Sequence, residues 1–131
     1  MTTPIRVLVV EDDRFLRKAC EVSLKQRGFE VLTAVDGEEG LRVALAEKPS
    51  IVLLDLLMPK MPGVDVLRAL RANPDTARLP VVILSNSSRE DDKRAAEALG
   101  AAGYFVKANL SLKELGDCVN ALVRGGEPPD A

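Results

Sequence analysis

The chain has 131 residues, 47% apolar and 29% charged, the length and balance of one globular domain rather than a disordered segment. Its 18 Lys and Arg against 20 Asp and Glu leave a net charge of −2, so no basic excess argues for nucleic-acid binding by this domain. It has no histidine, which excludes a His-based triad, a His metal site and phosphorylation of the chain on its own imidazole.

The first apolar run, Ile5 to Val10 broken by Arg6, predicts a strand. Phe15, Leu16, Ala19, Cys20 and Ser23 then recur at helical spacing, and Gly28 follows as a stop. Glu30 to Ala34 is a weaker strand candidate. Leu41, Ala44 and Leu45 mark a second helix closed by Pro49. Ile51 to Leu54 is the next strand, and Val64, Leu67, Leu70 and Arg71 mark a third helix ending before Pro74. Val81 to Leu84 predicts the fourth strand. A fourth helix begins near Ser87, where Ser87 and Glu90 have capping-box spacing, and stops at Gly100. Tyr104 to Val106 is the fifth strand. Ser111 and Glu114 form a second capping box, opening a fifth helix with the stripe Leu112, Leu115, Val119 and Leu122.

Apart from the weaker second one, these strands are near-continuous runs of Val, Ile and Leu, as in a parallel sheet buried on both faces. The alternation predicts an α/β fold, a single doubly wound (βα)5 flavodoxin-like domain. Its parallel five-stranded sheet has the strand order 2-1-3-4-5. A closed barrel needs eight such units. Residues 1–124 are expected to form the domain. Gly125 to Ala131 (GGEPPDA) is a flexible C-terminal tail or the stub of a linker, so a stand-alone protein and a domain cut from a longer chain both stay open. Cys20 and Cys118 match no metal spacing and are expected as reduced core thiols. No run approaches the roughly 20 apolar residues that span a bilayer, and Met1 to Arg6 lacks the features of a signal peptide. The expected location is cytoplasmic, with no membrane partner.

In open parallel sheets, ligands bind outside the carboxyl ends of the strands. Glu11, Asp12 and Asp13 follow the first strand, Asp55 the third, Ser85 and Asn86 the fourth, and Lys107 the fifth. Taken singly, each fits a turn, a cap or a solvated charge; Asp13 in particular suits a helix cap. Taken together, they place at least three carboxylates, a hydroxyl and an ammonium at one edge. Two carboxylates about 4 Å apart repel by roughly 4 kcal/mol at an effective dielectric near 20, so at least one pKa should rise. Lys107 offsets one charge. A hard divalent cation would remove the conflict, and without His or thiolate the donor set suits Mg²⁺ better than Zn²⁺. Mg²⁺ is commonly held by one or two carboxylates plus phosphate oxygens, which makes a phosphoryl group the natural companion. With no His and no base-activated Cys at this edge, Asp55 is the best-placed group for covalent chemistry.

The same residues carry a resemblance. VLVVEDD (Val7 to Asp13), AVDGEEGL (Ala34 to Leu41), IVLLDLLMPKMPG (Ile51 to Gly63), PVVILSN (Pro80 to Asn86) and GYFVK (Gly103 to Lys107) stand in order and at the spacing of a receiver domain. From Ile5 to Val123 the chain resembles the receiver domains of two-component response regulators, with a fold similar to that of the chemotaxis regulator. The resemblance implies that Asp55 is the phosphoacceptor. Asp12 would bind Mg²⁺ directly and Glu11 through water, with the Leu57 carbonyl as a further ligand. Ser85 would be the switch hydroxyl, and Lys107 would pair with a phosphoryl oxygen. Tyr104 stands at the aromatic switch position, though a core-edge aromatic with its hydroxyl in water fits equally. The partners implied are a sensor histidine kinase or histidine phosphotransfer protein and a downstream protein target. Phosphorylation would switch the surface of the fourth helix, fifth strand and fifth helix.

Four positions depart from the common pattern. Ala108 replaces a proline whose preceding bond is cis, so Lys107 is reached either through a strained cis bond or through a trans one. Leu57 is apolar at a position lining the site, Asn86 stands where a small residue is common, and Pro62 predicts a stiffer loop. These departures keep an alternative open, a receiver-like interaction module that is not phosphorylated. A phosphohydrolase is a third reading, but Leu57 leaves no general acid two positions after Asp55. The expected protein is a phosphoacceptor that assists its own transfer and hydrolysis, not a turnover enzyme.

Overall fold

The computed structural model describes residues 4–86 and 90–124. Five strands, β1 (Arg6–Val10), β2 (Glu30–Ala34), β3 (Ile51–Asp55), β4 (Val81–Ser85) and β5 (Gly103–Val106), alternate with five helices. The helices are α1 (Arg14–Gln26), α2 (Gly37–Glu47), α3 (Gly63–Ala72), α4 (Glu90–Ala98) and α5 (Leu112–Arg124), with a 3₁₀ turn over Lys107–Asn109. All strand pairs are parallel and the order is β2-β1-β3-β4-β5, as the alternation predicts.

Successive side chains of a strand point to opposite faces, and both faces here are apolar. Leu8, Val10, Val52, Leu54, Val81 and Ile83 pack with Ala44 of α2, Val66, Leu67 and Leu70 of α3 and Ala96 of α4. Val7, Val9, Ile51, Leu53, Val82 and Leu84 pack with Cys20 and Leu24 of α1 and Leu115 and Val119 of α5. The double covering explains why β1, β3 and β4 read as unbroken apolar runs. β5 differs from the expectation of full burial. It is the edge strand, and all four of its residues are half-buried.

Caps largely follow the sequence. Asp13 caps α1 by accepting from the Phe15 and Leu16 amides at 2.9 and 3.2 Å. Asp36 caps α2 by accepting from the Glu39 amide at 2.8 Å, and Ser111 accepts from the Glu114 amide at 3.2 Å before α5. The capping box expected at Ser87 and the tail of residues 125–131 lie outside the described residues. Neither cysteine is in a disulfide; Cys20 is buried and Cys118 is half-buried.

Three stripe residues depart from their expected role. Phe15 is 84% exposed and Leu122 37% exposed, because each lies at the margin of its helix's apolar face while Cys20, Leu24, Leu115 and Val119 occupy the centre. Arg71 sits among the α3 stripe but uses its guanidinium to bind carbonyls. It donates to Leu99 O at 2.7 Å, Leu79 O at 2.8 Å and Gly100 O at 3.1 Å, tying α3 to the segments before β4 and β5.

Urea unfolding separates these positions. Leu67→Ala, at a fully buried site, is expected to cost about 2–5 kcal/mol. Phe15→Ala is expected to stay within about 0.5 kcal/mol of the native chain, and a core-sized loss would contradict its placement.

Candidate functional site

Register sets the site. Val10 pairs with Leu54, Asp55 with Leu84, and Ser85 with Val106. Glu11 therefore follows β1 beside Asp55, and Lys107 follows β5 one step beyond Ser85. The four strand ends bring Glu11, Asp55, Ser85 and Lys107 to one edge of the sheet, with Asp12 next to Glu11. Glu11, Asp55 and Ser85 are buried; Asp12 is exposed.

Lys107 ties the carboxylates together. Its Nζ lies 2.6 Å from Glu11 Oε1 and 2.9 Å from Asp55 Oδ2. It therefore bridges two carboxylates, where the sequence suggested the offset of one. The Glu11 contact is an ion pair without hydrogen-bond alignment, which leaves buried Oε1 without a hydrogen-bond partner. The other oxygen, Oε2, accepts from the Asp13 amide at 2.9 Å. Asp55 Oδ1 accepts from the Leu57 amide at 3.1 Å.

Backbone contacts hold these groups in place. The Glu11 amide donates to Ala34 O at 3.0 Å, and Arg17 Nη1 donates to Glu11 O at 2.8 Å. Arg17 is a supporting residue that sequence reasoning missed; its helical position three residues after Arg14 carried no signal of its direction. Gly63 is a second. A Cβ there would overlap the Asp55 carbonyl oxygen and stand 2.6 Å from Leu56 Cα, so only glycine lets α3 start directly against β3. The Gly63 amide donates to Leu56 O at 2.9 Å.

The departures noted in the sequence take definite places. Leu57 is 62% exposed, Asn86 is exposed, and the Lys107–Ala108 bond is trans. Pro62 occupies the cap position of α3 and makes no side-chain cap bond. Tyr104 is half-buried, packs on the core beneath α2, α3 and α4, and has the Lys93 ammonium 5.6 Å from its ring centroid.

Carboxylate oxygens of Glu11, Asp12 and Asp55 lie within 4.8 Å of one another and could hold a metal ion. The donor set is all oxygen, which fits a hard divalent cation, and Glu11 Oε1, paired with the Lys107 ammonium but accepting no aligned hydrogen bond, is a buried acceptor with capacity to spare. The nearby thiol does not compete. Burial, then the charge of Glu11, pushes Cys20 up to about 11, so it stays protonated.

Crowding has the expected electrostatic effect. Burial pushes Glu11 up to about 7, with Asp55 adding repulsion, against the lowering influence of Lys107 and the Asp13 amide. Burial alone would lower the Lys107 ammonium; its bonds to Glu11 and Asp55 outweigh that and raise it. A carboxyl raised in the folded state binds a proton that the unfolded chain releases. In metal-free buffer, the Glu11 contribution is complete below about 4.5 and is lost as pH rises towards about 7. Stability is therefore expected to fall with rising pH across that window, and Glu11→Gln to flatten the slope. Unfolding curves at stepped pH in a chelator check this; an unaltered slope in Glu11→Gln would place the proton elsewhere.

The family model described as the response regulator receiver domain matches residues 7–120. The transcriptional regulatory protein PrrA of Mycobacterium tuberculosis is 45% identical over 124 residues, covering 95% of this chain and 52% of that protein. The chain thus spans about half the length of the curated relatives it matches. Among solved structures, chemotaxis protein CheY4 of Vibrio cholerae superposes with a TM-score of 0.84 at 28% identity, covering 92% of this chain and 99% of that one. The Mn²⁺-bound form of response regulator Rcp1 gives 0.81 at 28% identity, covering 96% and 99%. With an edge of carboxylates, hydroxyl and lysine at the strand ends of this fold, the chain belongs to the response regulator receiver domains of two-component systems.

Proposed function

We propose that Asp55 accepts a phosphoryl group from the phosphohistidine of a partner, or from a small phosphodonor, with Mg²⁺ bound beside it. The observation that carries this reading is the bridge of Lys107 between two buried carboxylates, next to a three-carboxylate group able to hold a cation. In the transfer, a carboxylate oxygen of Asp55 forms a bond to phosphorus. The phosphorus–nitrogen bond of the donor breaks, and its electron pair leaves with the imidazole, which takes up a proton.

Glu11, Asp12 and Asp55 would hold Mg²⁺, with the Leu57 carbonyl as a further ligand. Bound there, the cation supplies positive charge that offsets the transferring phosphoryl oxygens. Lys107 is placed to do the same from the β5 side, and its bond to Asp55 Oδ2 orients the acceptor. The Leu57 amide on Oδ1 fixes the other carboxylate oxygen. Ser85, buried at the end of β4, would donate to a phosphoryl oxygen. The Rcp1 structure, a relative described as Mn²⁺-bound, supports a divalent cation in this family.

The product is a phosphoprotein, and the domain is a phosphoacceptor rather than a turnover enzyme. The added charge would bias the surface formed by α4, β5 and α5, with Ser85 and Tyr104 as the switch pair. Tyr104 already meets α4 through Lys93. The partners are a sensor histidine kinase or histidine phosphotransfer protein upstream and a protein target downstream, in the cytoplasm. Among the described residues no helix is long and apolar enough to cross a membrane. PrrA is named as a transcriptional regulator, and the half of its length that this chain does not span is where an output outside this domain would lie. A receiver-like interaction module without phosphorylation is the alternative that the same experiment separates.

Incubation with acetyl phosphate and Mg²⁺, followed by intact-mass measurement, is expected to show one phosphate adduct that Asp55→Asn abolishes. Lys107→Met, confirmed folded by its thermal melt, is expected to slow labelling by about a hundredfold. No adduct on the native chain while a known receiver labels in parallel, or an adduct that survives Asp55→Asn, overturns the proposal.

A further inference from the structure

We infer that the Asp36–Gly37 turn at the start of α2 is a positioning element for the carboxylate site, acting through the loop that joins β3 to α3. The inference rests on the phosphoacceptor reading of Asp55. The AVDGEEGL segment (Ala34 to Leu41) contributes no side chain to the site, yet it touches both of the arms that build it.

The first arm is the β3–α3 loop, residues 56–62. Its near end is fixed by the Leu57 amide on Asp55 Oδ1 at 3.1 Å, and its far end by Gly63 packed on the Asp55 carbonyl. The middle is held by the turn. A Cβ on Gly37 would overlap the Met61 carbonyl oxygen and stand 2.8 Å from Met61 Cβ, so the loop rests directly on the first residue of α2. Gly37 has no left-handed φ, so its requirement is space alone. Beside it, Asp36 Oδ2 lies 3.5 Å from Lys60 Nζ. Lys60 has a φ of 70°, a left-handed conformation that non-glycine residues seldom adopt. Asp36 is itself anchored, since Oδ1 caps α2 through the Glu39 amide at 2.8 Å.

The second arm is the end of β1. The Glu11 amide donates to Ala34 O, two residues before Asp36, at 3.0 Å. A Cβ on Gly40 would stand 2.7 Å from Val10 Cγ1, so α2 presses on the residue just before Glu11. One turn therefore sets the height of the Glu11 backbone and the lie of the loop carrying Leu57. Addition of a methyl group at Gly37 would push Met61 away and draw Leu57 off Asp55.

The test compares Gly37→Ala with Gly28→Ala. Gly28 sits at φ +91° with open space around it, at the opposite end of the sheet, so its alanine variant strains the chain without touching the site. In ¹⁵N-labelled protein, the Leu57 amide resonance reports the bond to Asp55 without any metal, and a MgCl₂ titration reports cation affinity. Gly37→Ala is expected to move the Leu57 resonance and weaken Mg²⁺ binding about tenfold or more, while Gly28→Ala leaves both unchanged. An unmoved Leu57 resonance with native Mg²⁺ affinity in folded Gly37→Ala overturns the inference. If Gly37→Ala does not fold, Lys60→Gln takes its place. Its expected signature is the same moved resonance with a loss of up to about fivefold in affinity, and no movement there overturns the inference equally. A native chain that neither binds Mg²⁺ nor takes phosphate defeats the phosphoacceptor reading instead, and the Leu57 resonance still decides the positioning role.

Discussion

One ammonium organises this domain. Lys107 reaches from the end of β5 to Glu11 and Asp55, which close β1 and β3, and it bonds Asp55 across 52 positions of chain. Two buried carboxylates side by side are unfavourable without a positive partner, because burial removes the water that would screen them. The bridge offsets part of that cost but not all, since burial first and the Asp55 charge after it still leave Glu11 raised. A site left short of positive charge at the mouth of a parallel sheet is predisposed to a cation and to the anion it brings.

The sheet is what makes the bridge possible. Its strands are covered on both faces, so their ends are where polar groups can gather without breaking a core. The opposite edge is used structurally. There Arg71 donates to four backbone carbonyls, those of Thr76, Leu79, Leu99 and Gly100, and burial lowers the pKa of its guanidinium. The two edges thus divide the work, with one guanidinium clamping carbonyls below and a cluster of acids, hydroxyl and lysine above.

Around the cluster, close approach does as much as charge. Glycines at positions 37, 40 and 63 stand where a methyl group would collide with Met61, Val10 and the Asp55–Leu56 backbone. These contacts hold the loop and strand ends against one another, so Asp55 is oriented by the Leu57 amide on one oxygen and by Lys107 on the other. Such a site loses little entropy when a ligand arrives.

Much of this was legible in the residues. Val, Ile and Leu runs alternating with helical stripes gave the five βα units and the strand order, because a parallel sheet buried on both faces demands that composition. Polar residues directly after each run placed Glu11, Asp12, Asp55, Ser85 and Lys107 at one edge, since strand ends are local features. Local sequence also sufficed for the caps at Asp13 and Ser111. What it could not show was direction. Phe15 shares the helical period of Cys20 yet faces solvent, Arg71 lies in an apolar stripe yet binds carbonyls, and Arg17 turns back to Glu11 O. β5 reads by composition like a strand buried on both faces, yet at the edge where the expected order puts it all four residues are half-buried. The sequence by itself therefore determined the fold class and the chemical inventory of the site, because periodicity and strand-end identity are short-range properties. Tertiary structure alone decided that Lys107 spans two carboxylates and that the Asp36–Gly37 turn bears on the acceptor loop, because both depend on register and packing between segments far apart in the chain.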